Sequence, residues 1–312
     1  MEHDKLKAIA HHSGTSVSTV RRVLYHCSGV AAETRQAVIN AQCALQHSLE
    51  SSGRRLYFIL PDNPKFFWHQ ALNVLNGYLF DPPVKLSFYP SLQQHALLKT
   101  YLEPLLAEDN AVLILAADLN QEESELVSCI AERCPVIQLC RYTPLAGTTY
   151  VGADAYKDGL ALGEYARKTA VAQAVILKPQ GYNAGETCRG FAEGYGHPVT
   201  VIPEPEEGNL YPSMVARALD EHKNAELVFS PSGRTAELCR AIHKLRRPLH
   251  CYGCEVSAQL KSMPESHTVR ALLQQNLAEQ TRTALELARA YLQNGTPPEK
   301  SAVIVPSKIV TL

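Results

Sequence analysis

Apolar positions along this chain follow two regimes that meet near residue 56. Before it, Leu6, Ile9 and Ala10 recur at i, i+3 and i+4, the stripe of a short amphipathic helix that Gly14 ends. Ser16 is then placed to cap a second helix. On it Val20, Val23 and Leu24 face one way while Ser18, Thr19, Arg21 and Arg22 face elsewhere. A third helix, from about Ala32 to Leu45, offers Val38, Ala41 and Leu45 as its inner stripe. Two short helices about a Gly-containing turn predict a helix-turn-helix, and three close a minimal core over residues 1–45.

From residue 56 short apolar runs alternate with helix-length segments. The expected strands are 56–60, 84–89, 111–115, 135–139, 149–152, 174–177, 198–202, 227–230, 249–253 and 268–272, with helices over 66–77, 91–107, 155–169, 211–222 and 234–245. That alternation predicts an α/β architecture of parallel sheets covered on both faces by right-handed crossovers. The strand number, with a break after residue 152, divides the body into two doubly wound lobes: about 56–150 with part of 270–312, and about 151–269.

Composition changes the picture in two places. The 312 residues are 46% hydrophobic, enough for more than one core. Residues 1–55 carry seven Lys/Arg against four acids, a net +3, while the remainder carries a net −4. A basic head on a mildly acidic body suits contact with a polyanion. No apolar run approaches the ~18 residues of a membrane span, and the first residues lack the apolar stretch of a secretory signal. A cytoplasmic protein is expected, its nine cysteines reduced.

Cys251 and Cys254 form a CxxC without a second ligand pair, so buried thiols are expected rather than a metal or redox centre. His11-His12 has no His-rich partner segment. Phosphate-loop, nucleophile-elbow, HExxH and GxGxxG patterns are absent, and neither catalytic residues nor a cofactor is expected.

The order of residues says more. LKAIAHHSGTSVSTVRRVL followed by SGVAAETRQAVINA resembles the head of the lactose-repressor family. Further markers run in family order along the body: PDNPKFF at 61–67, Cys140-Arg141, YVGADAYKDG at 150–159, RGF at 189–191, YGCE at 252–255 and the Gln275 region. The resemblance implies a helix-turn-helix head followed by a sensor domain like the periplasmic sugar-binding proteins. It implies binding to double-stranded operator DNA, as a homodimer or a larger assembly, under control of a sugar or sugar phosphate effector. It places Val17, Ser18 and Arg22 at base-reading positions and Thr19 and Thr34 near phosphates, with Ser16 and Arg21 on the same surface. Arg21, Tyr25 and Ala31 depart from the family's usual residues, which leaves the operator sequence open.

Parallel sheets bind ligands beyond the carboxyl ends of their strands. That rule gathers Asp62, Asn63, Asp118, Arg141, Ser230 to Ser232 and Glu255 around one expected cleft. Phe66, Phe67 and Trp68 offer faces for a sugar ring or, alternatively, core packing. The resemblance adds Arg189 as the usual clamp of the second lobe and brings in Gln275, while Glu255 stands where the family carries Asp. SPSGR at 230–234 replaces the family's Asn-Asp, and Arg234 tilts the expected effector toward a phosphorylated or acidic sugar.

Between head and body only QHSLESSGRR, residues 46–55, is available as a linker. Ten residues extend to about 33–36 Å, enough to reach DNA, but a complete hinge helix with flanking turns does not fit. Leu49 is its one apolar residue and so its one candidate minor-groove wedge; a contact onto head or body is the alternative. Two other functions remain open at this point: a soluble α/β enzyme acting on a sugar or nucleotide, and a DNA-binding regulator whose cleft holds nothing.

Overall fold

The computed structural model describes residues 2–24, 30–47, 55–62, 66–77, 84–90, 94–169, 173–205, 210–245 and 248–312. Leu49 and Asn63 lie outside them.

Three helices open the chain: α1 (Glu2–Ser13), α2 (Val17–Leu24) and α3 (Ala32–His47). Leu6, Ile9 and Ala10 of α1 are buried with Val20, Val23 and Leu24 of α2 and with Val38, Ile39 and Ala41 of α3. The i, i+3, i+4 stripes therefore face inward, as amphipathic helices require.

The body continues with β1 (Arg55–Asp62), α4 (Phe66–Asn76), β2 (Val84–Pro90), α5 (Gln94–Leu102), β3 (Ala111–Leu115), α6 (Gln121–Ala131), β4 (Val136–Leu139) and β5 (Thr148–Gly152). Next come α7 (Ala155–Arg167), β6 (Gln173–Lys178), α8 (Tyr182–Tyr195), β7 (Val199–Pro203), α9 (Tyr211–Asp220), β8 (Ala225–Phe229), α10 (Thr235–Leu245) and β9 (His250–Cys254). The chain ends with α11 (Ala258–Ser262), β10 (Val269–Gln274), α12 (Leu277–Asn294), β11 (Ala302–Ile304) and β12 (Lys308–Val310).

The chain divides into two compact units, residues 1–152 with 277–303 and residues 153–276 with 304–312. The sheet of the first runs β11-β5-β4-β3-β1-β2 and that of the second β12-β10-β9-β8-β6-β7. β1 through β5 pair in parallel, as do β6 through β10, and β12 adds an antiparallel edge to β10. All ten expected strands are present; β11 and β12 are additional. Because β10 stays in the second sheet, the chain returns to the first unit through α12 and β11.

Both faces of each sheet are covered, so the strands read as nearly continuous apolar runs. In the first unit Phe58, Ile114 and Ile137 face α4 and α12, while Tyr57, Leu113 and Val136 face α5 and α6. In the second, Ile176, Phe229 and Tyr252 face α7 and α8, and Val175, Val228 and Cys251 face α9 and α10.

Candidate functional site

The α2 surface is built by its cap. Ser16 Oγ accepts from the Thr19 backbone N–H at 3.0 Å, and the two hydroxyls lie 2.9 Å apart. Capping one orphan donor starts the helix at Val17. With Val20, Val23 and Leu24 inward, Ser16, Ser18, Arg21 and Arg22 are exposed and Thr19 is half-buried. Val17 is an exception among the expected base-reading residues: it is partly buried and packs against the apolar cluster, which uses part of its side chain for the core. Thr34 is half-buried in the first turn of α3.

In the first unit, Asp118 follows β3 and Arg141 follows β4, and the two meet in an ion pair with Arg141 Nη1 2.6 Å from Asp118 Oδ2. Cys140 turns the chain to allow it. Its φ of 62° is rare for a residue with a Cβ, and Arg141 N–H donates to the Leu139 carbonyl at 2.6 Å across it. Of the aromatic group, Trp68 is core, 3% exposed. Phe67 is partly buried against the same cluster and meets Trp68 edge to face, and Phe66 begins α4. The core role holds for Trp68, and Phe67 shares in it.

In the second unit the carboxyl ends of β6 to β10 share one sheet edge because the strands are parallel. Glu255 follows β9 with φ of 65°, its Cγ 3.8 Å from where a Cβ on Gly233 would stand. Gln274 Nε2 donates to Glu255 Oε2 at 2.6 Å and Gln275 N–H donates to Oε1 at 3.2 Å. Burial outweighs these two bonds and pushes the Glu255 carboxyl up to about 8. Asp158, on α7, accepts from Ser307 Oγ at 2.5 Å, and burial again pushes its carboxyl up, to about 6.

Glu204, just past β7, organises the loop after β8. Its Oε1 accepts from Tyr211 Oη at 2.5 Å, Ser230 Oγ at 2.9 Å and Ser232 Oγ at 2.8 Å. Its Oε2 faces Arg234 Nη2 at 3.5 Å, with 0% of the Glu204 side chain and 13% of the Arg234 side chain exposed. Arg234 also lies over the Tyr211 ring, 4.4 Å from its centre, and donates to the Pro205 carbonyl at 3.2 Å. The guanidinium expected to attract an anionic ligand is thus held by an internal carboxylate. This removes the ground for expecting a phosphorylated or acidic sugar on its account, and Ser232 spends its hydroxyl proton in the same cluster.

Arg189 sits on the surface of α8. It pairs with Glu186 one turn back, Nη2 to Oε2 at 2.5 Å, and lies over the Tyr156 ring at 4.2 Å. That pairing holds the Glu186 carboxyl below the usual range.

The second unit therefore brings together Ser232, Glu255 and Gln275, with Gln274 and Glu204, which the sequence reading missed. The acidic run at 204–207 resembles a solvated loop, and nothing local marks one of its carboxylates as buried. Cys251 and Cys254 point to opposite faces of the sheet, so the CxxC cannot converge on one ligand. No group of three or more His, Cys, Asp or Glu able to hold a metal occurs among the described residues. None of the described helices is long and apolar enough to cross a membrane. A shallow depression of about 450 Å³, lined by Tyr165, His267 and Arg270 among others, adjoins the start of β10, away from the strand carboxyl ends.

These two α/β units, each a largely parallel sheet wrapped by helices, define a periplasmic-binding-protein-like fold. No family model matches the sequence, and no curated protein does. Solved structures do match it in fold. A glucose-galactose binding protein, GanP, from Geobacillus stearothermophilus is similar with a TM-score of 0.72 at 15% identity, covering 84% of this chain and 98% of that one. A LacI-family transcriptional regulator from Silicibacter pomeroyi covers 98% of this chain and 97% of its own, with a TM-score of 0.64 and 15% identity. The Cra transcriptional dual regulator of Pseudomonas putida, solved with fructose 1-phosphate, covers 84% of this chain and 99% of its own, with a TM-score of 0.69 and 17% identity.

Proposed function

We propose that this chain is a sequence-specific DNA-binding transcriptional regulator, a repressor, whose body senses a small sugar-like effector and which acts without catalysis. The observation that carries the reading is α2: apolar residues buried on one side, and Ser18, Arg21 and Arg22 exposed on the other behind a Ser16 cap. A short capped helix on a small core, presenting hydroxyls and guanidinium groups, suits insertion into the major groove, where Arg grips guanine O6 and N7 bidentately. The match of the LacI-family regulator over 98% of the chain, against 84% for the sugar-binding protein, supports a head of this kind before the sensor.

In this reading residues 1–45 are a helix-turn-helix head and 46–55 a shortened linker. The protein is a cytoplasmic homodimer, because a palindromic operator calls for two heads related by a two-fold axis. Asp118, Arg141, Ser232, Glu255 and Gln275 belong to the effector end of their respective units, and Arg189 joins them if its pair with Glu186 opens.

Selection of bound fragments from random and genomic DNA tests the reading. A defined palindromic sequence should emerge. Arg22→Ala should weaken binding to it by about 1–3 kcal/mol while leaving random DNA nearly unaffected at fixed salt. Equal losses on both, or no selected sequence, would remove the base-reading role.

A further inference from the structure

We propose that the depression at the amino ends of the second sheet's strands is a separate ligand site, which takes a small organic anion: a phosphate ester or carboxylate on a flat apolar body. It belongs wholly to the unit of residues 153–276 and 304–312 and lies at the sheet edge opposite the strand carboxyl ends. The effector reading plays no part in it.

The parallel topology builds the depression. A crossover helix runs back against the strands it joins, so the last turn of α7, with Tyr165, returns to the edge where β6 begins. The 3-10 turn Pro264–Thr268 leads into β10 at the same edge and brings His267 there. Its volume, about 450 Å³, is that of a small-molecule site.

Arg270 gives the site its charge. It is exposed, and its Nε donates to His250 Nδ1 at 2.7 Å. Burial first, and then the Arg270 charge, hold the His250 imidazole below its ordinary range. His250 therefore accepts as a neutral ring and cancels none of the guanidinium charge. Glu226 on β8 acts on His250 through space, but Arg270 forms no ion pair among the described residues. Arg141, Arg189 and Arg234 each face a carboxylate instead. Both Nη atoms of Arg270 are left to grip an anion bidentately.

The rest of the lining sets the ligand's body. His267 Nδ1 donates to the Pro264 carbonyl at 2.7 Å, which leaves Nε2 as its uncommitted ring atom. Thr169 Oγ1 is bonded to Tyr252 Oη and so braces the wall. Tyr165, Val269 and Leu312 supply apolar surface. A bare inorganic anion would leave that surface wet, and a neutral apolar molecule would desolvate Arg270 without matching it. An anion with an apolar body answers both.

The experiment titrates the intact protein by calorimetry with phenyl phosphate, benzoate, inorganic phosphate and benzyl alcohol. Phenyl phosphate or benzoate should bind at least ~10-fold more tightly than benzyl alcohol, and phenyl phosphate at least ~10-fold more tightly than inorganic phosphate. Arg270→Met should weaken the organic anions by at least ~10-fold, and His267→Gln, which keeps a donor, by less than that. Because both side chains are exposed, the variants should melt with the native protein, and a thermal scan checks it. Failure of both organic anions to bind overturns the proposal. So does organic-anion binding that survives Arg270→Met unchanged, since the anion then sits elsewhere. Inorganic phosphate matching phenyl phosphate, or benzyl alcohol matching the organic anions, overturns the ligand class.

Discussion

Gly159 on α7 lies against the Thr187 carbonyl of α8, so closely that a Cβ on Gly159 would stand 2.1 Å from that oxygen. The contact is repeated and reciprocal: a Cβ on Gly163 would meet the Phe191 oxygen at 2.3 Å, on Gly190 the Tyr156 oxygen at 2.1 Å, and on Gly194 the Leu160 oxygen at 2.2 Å. Two glycines four residues apart on each helix let the backbones touch, and this face covers Phe191, Phe229 and Tyr252.

Gly159→Ala should destabilise the second unit by about 2 kcal/mol or more, since overpacking outweighs the roughly 1 kcal/mol gained in helix propensity. Gly185→Ala, on the same α8 but with its nearest non-local atom 3.8 Å away, should be neutral or slightly stabilising. Urea unfolding of the two variants checks this, and equal midpoints would show that the helices can separate freely.

Glu204→Ala should cost about 3–5 kcal/mol, because it leaves Arg234 buried without its counter-charge and removes the acceptor of Tyr211, Ser230 and Ser232. The double variant Glu204→Ala with Arg234→Met should recover part of that loss. Denaturant midpoints of the single and double variants measure the coupling, and strictly additive losses would mean the pair contributes nothing jointly.

Stability should fall as pH rises through the range in which Glu255 ionises. Its folded value, about 8, lies above the ordinary 4.5, so the folded state holds a proton that the unfolded state has released, and ionising it costs stability. The advantage is fully present below about 4.5 and is lost by about 8. Asp158 adds the same sign between about 3.8 and 6. Each group contributes at most about 1.4 kcal/mol per pH unit. Glu255→Gln should flatten the decline in melting temperature between pH 6 and pH 8. An unaltered profile would assign the decline to other groups.

Ser16→Ala removes the oxygen that accepts the Thr19 N–H and should lower the stability of the first three helices by about 1 kcal/mol. Thermal melts followed by helical signal, with Ser18→Ala as an exposed control, test it. Equal effects from both substitutions would count against the cap.

Most of the elements were legible in the sequence, β11 and β12 excepted. Strands buried on both faces declare themselves as short apolar runs, and α1 to α3 declare themselves by an i, i+3, i+4 stripe and by Ser16, because burial and capping are imposed by local chemistry. The position of Glu255 beyond a strand end was legible for the same reason, since parallel pairing sends every carboxyl end to one edge. Tertiary structure alone decided what the charged groups do. Arg234 read as a ligand-facing cation until Glu204, 30 residues away in sequence, was brought against it. Trp68 read equally as a sugar platform or as core until α4 docked on the first sheet. Gly159 and Gly190 look like ordinary helix glycines until α7 and α8 close on each other. Partners in an ion pair or a backbone contact are chosen by the path of the chain, and that path depends on all the packed elements together, which no single stretch of residues records.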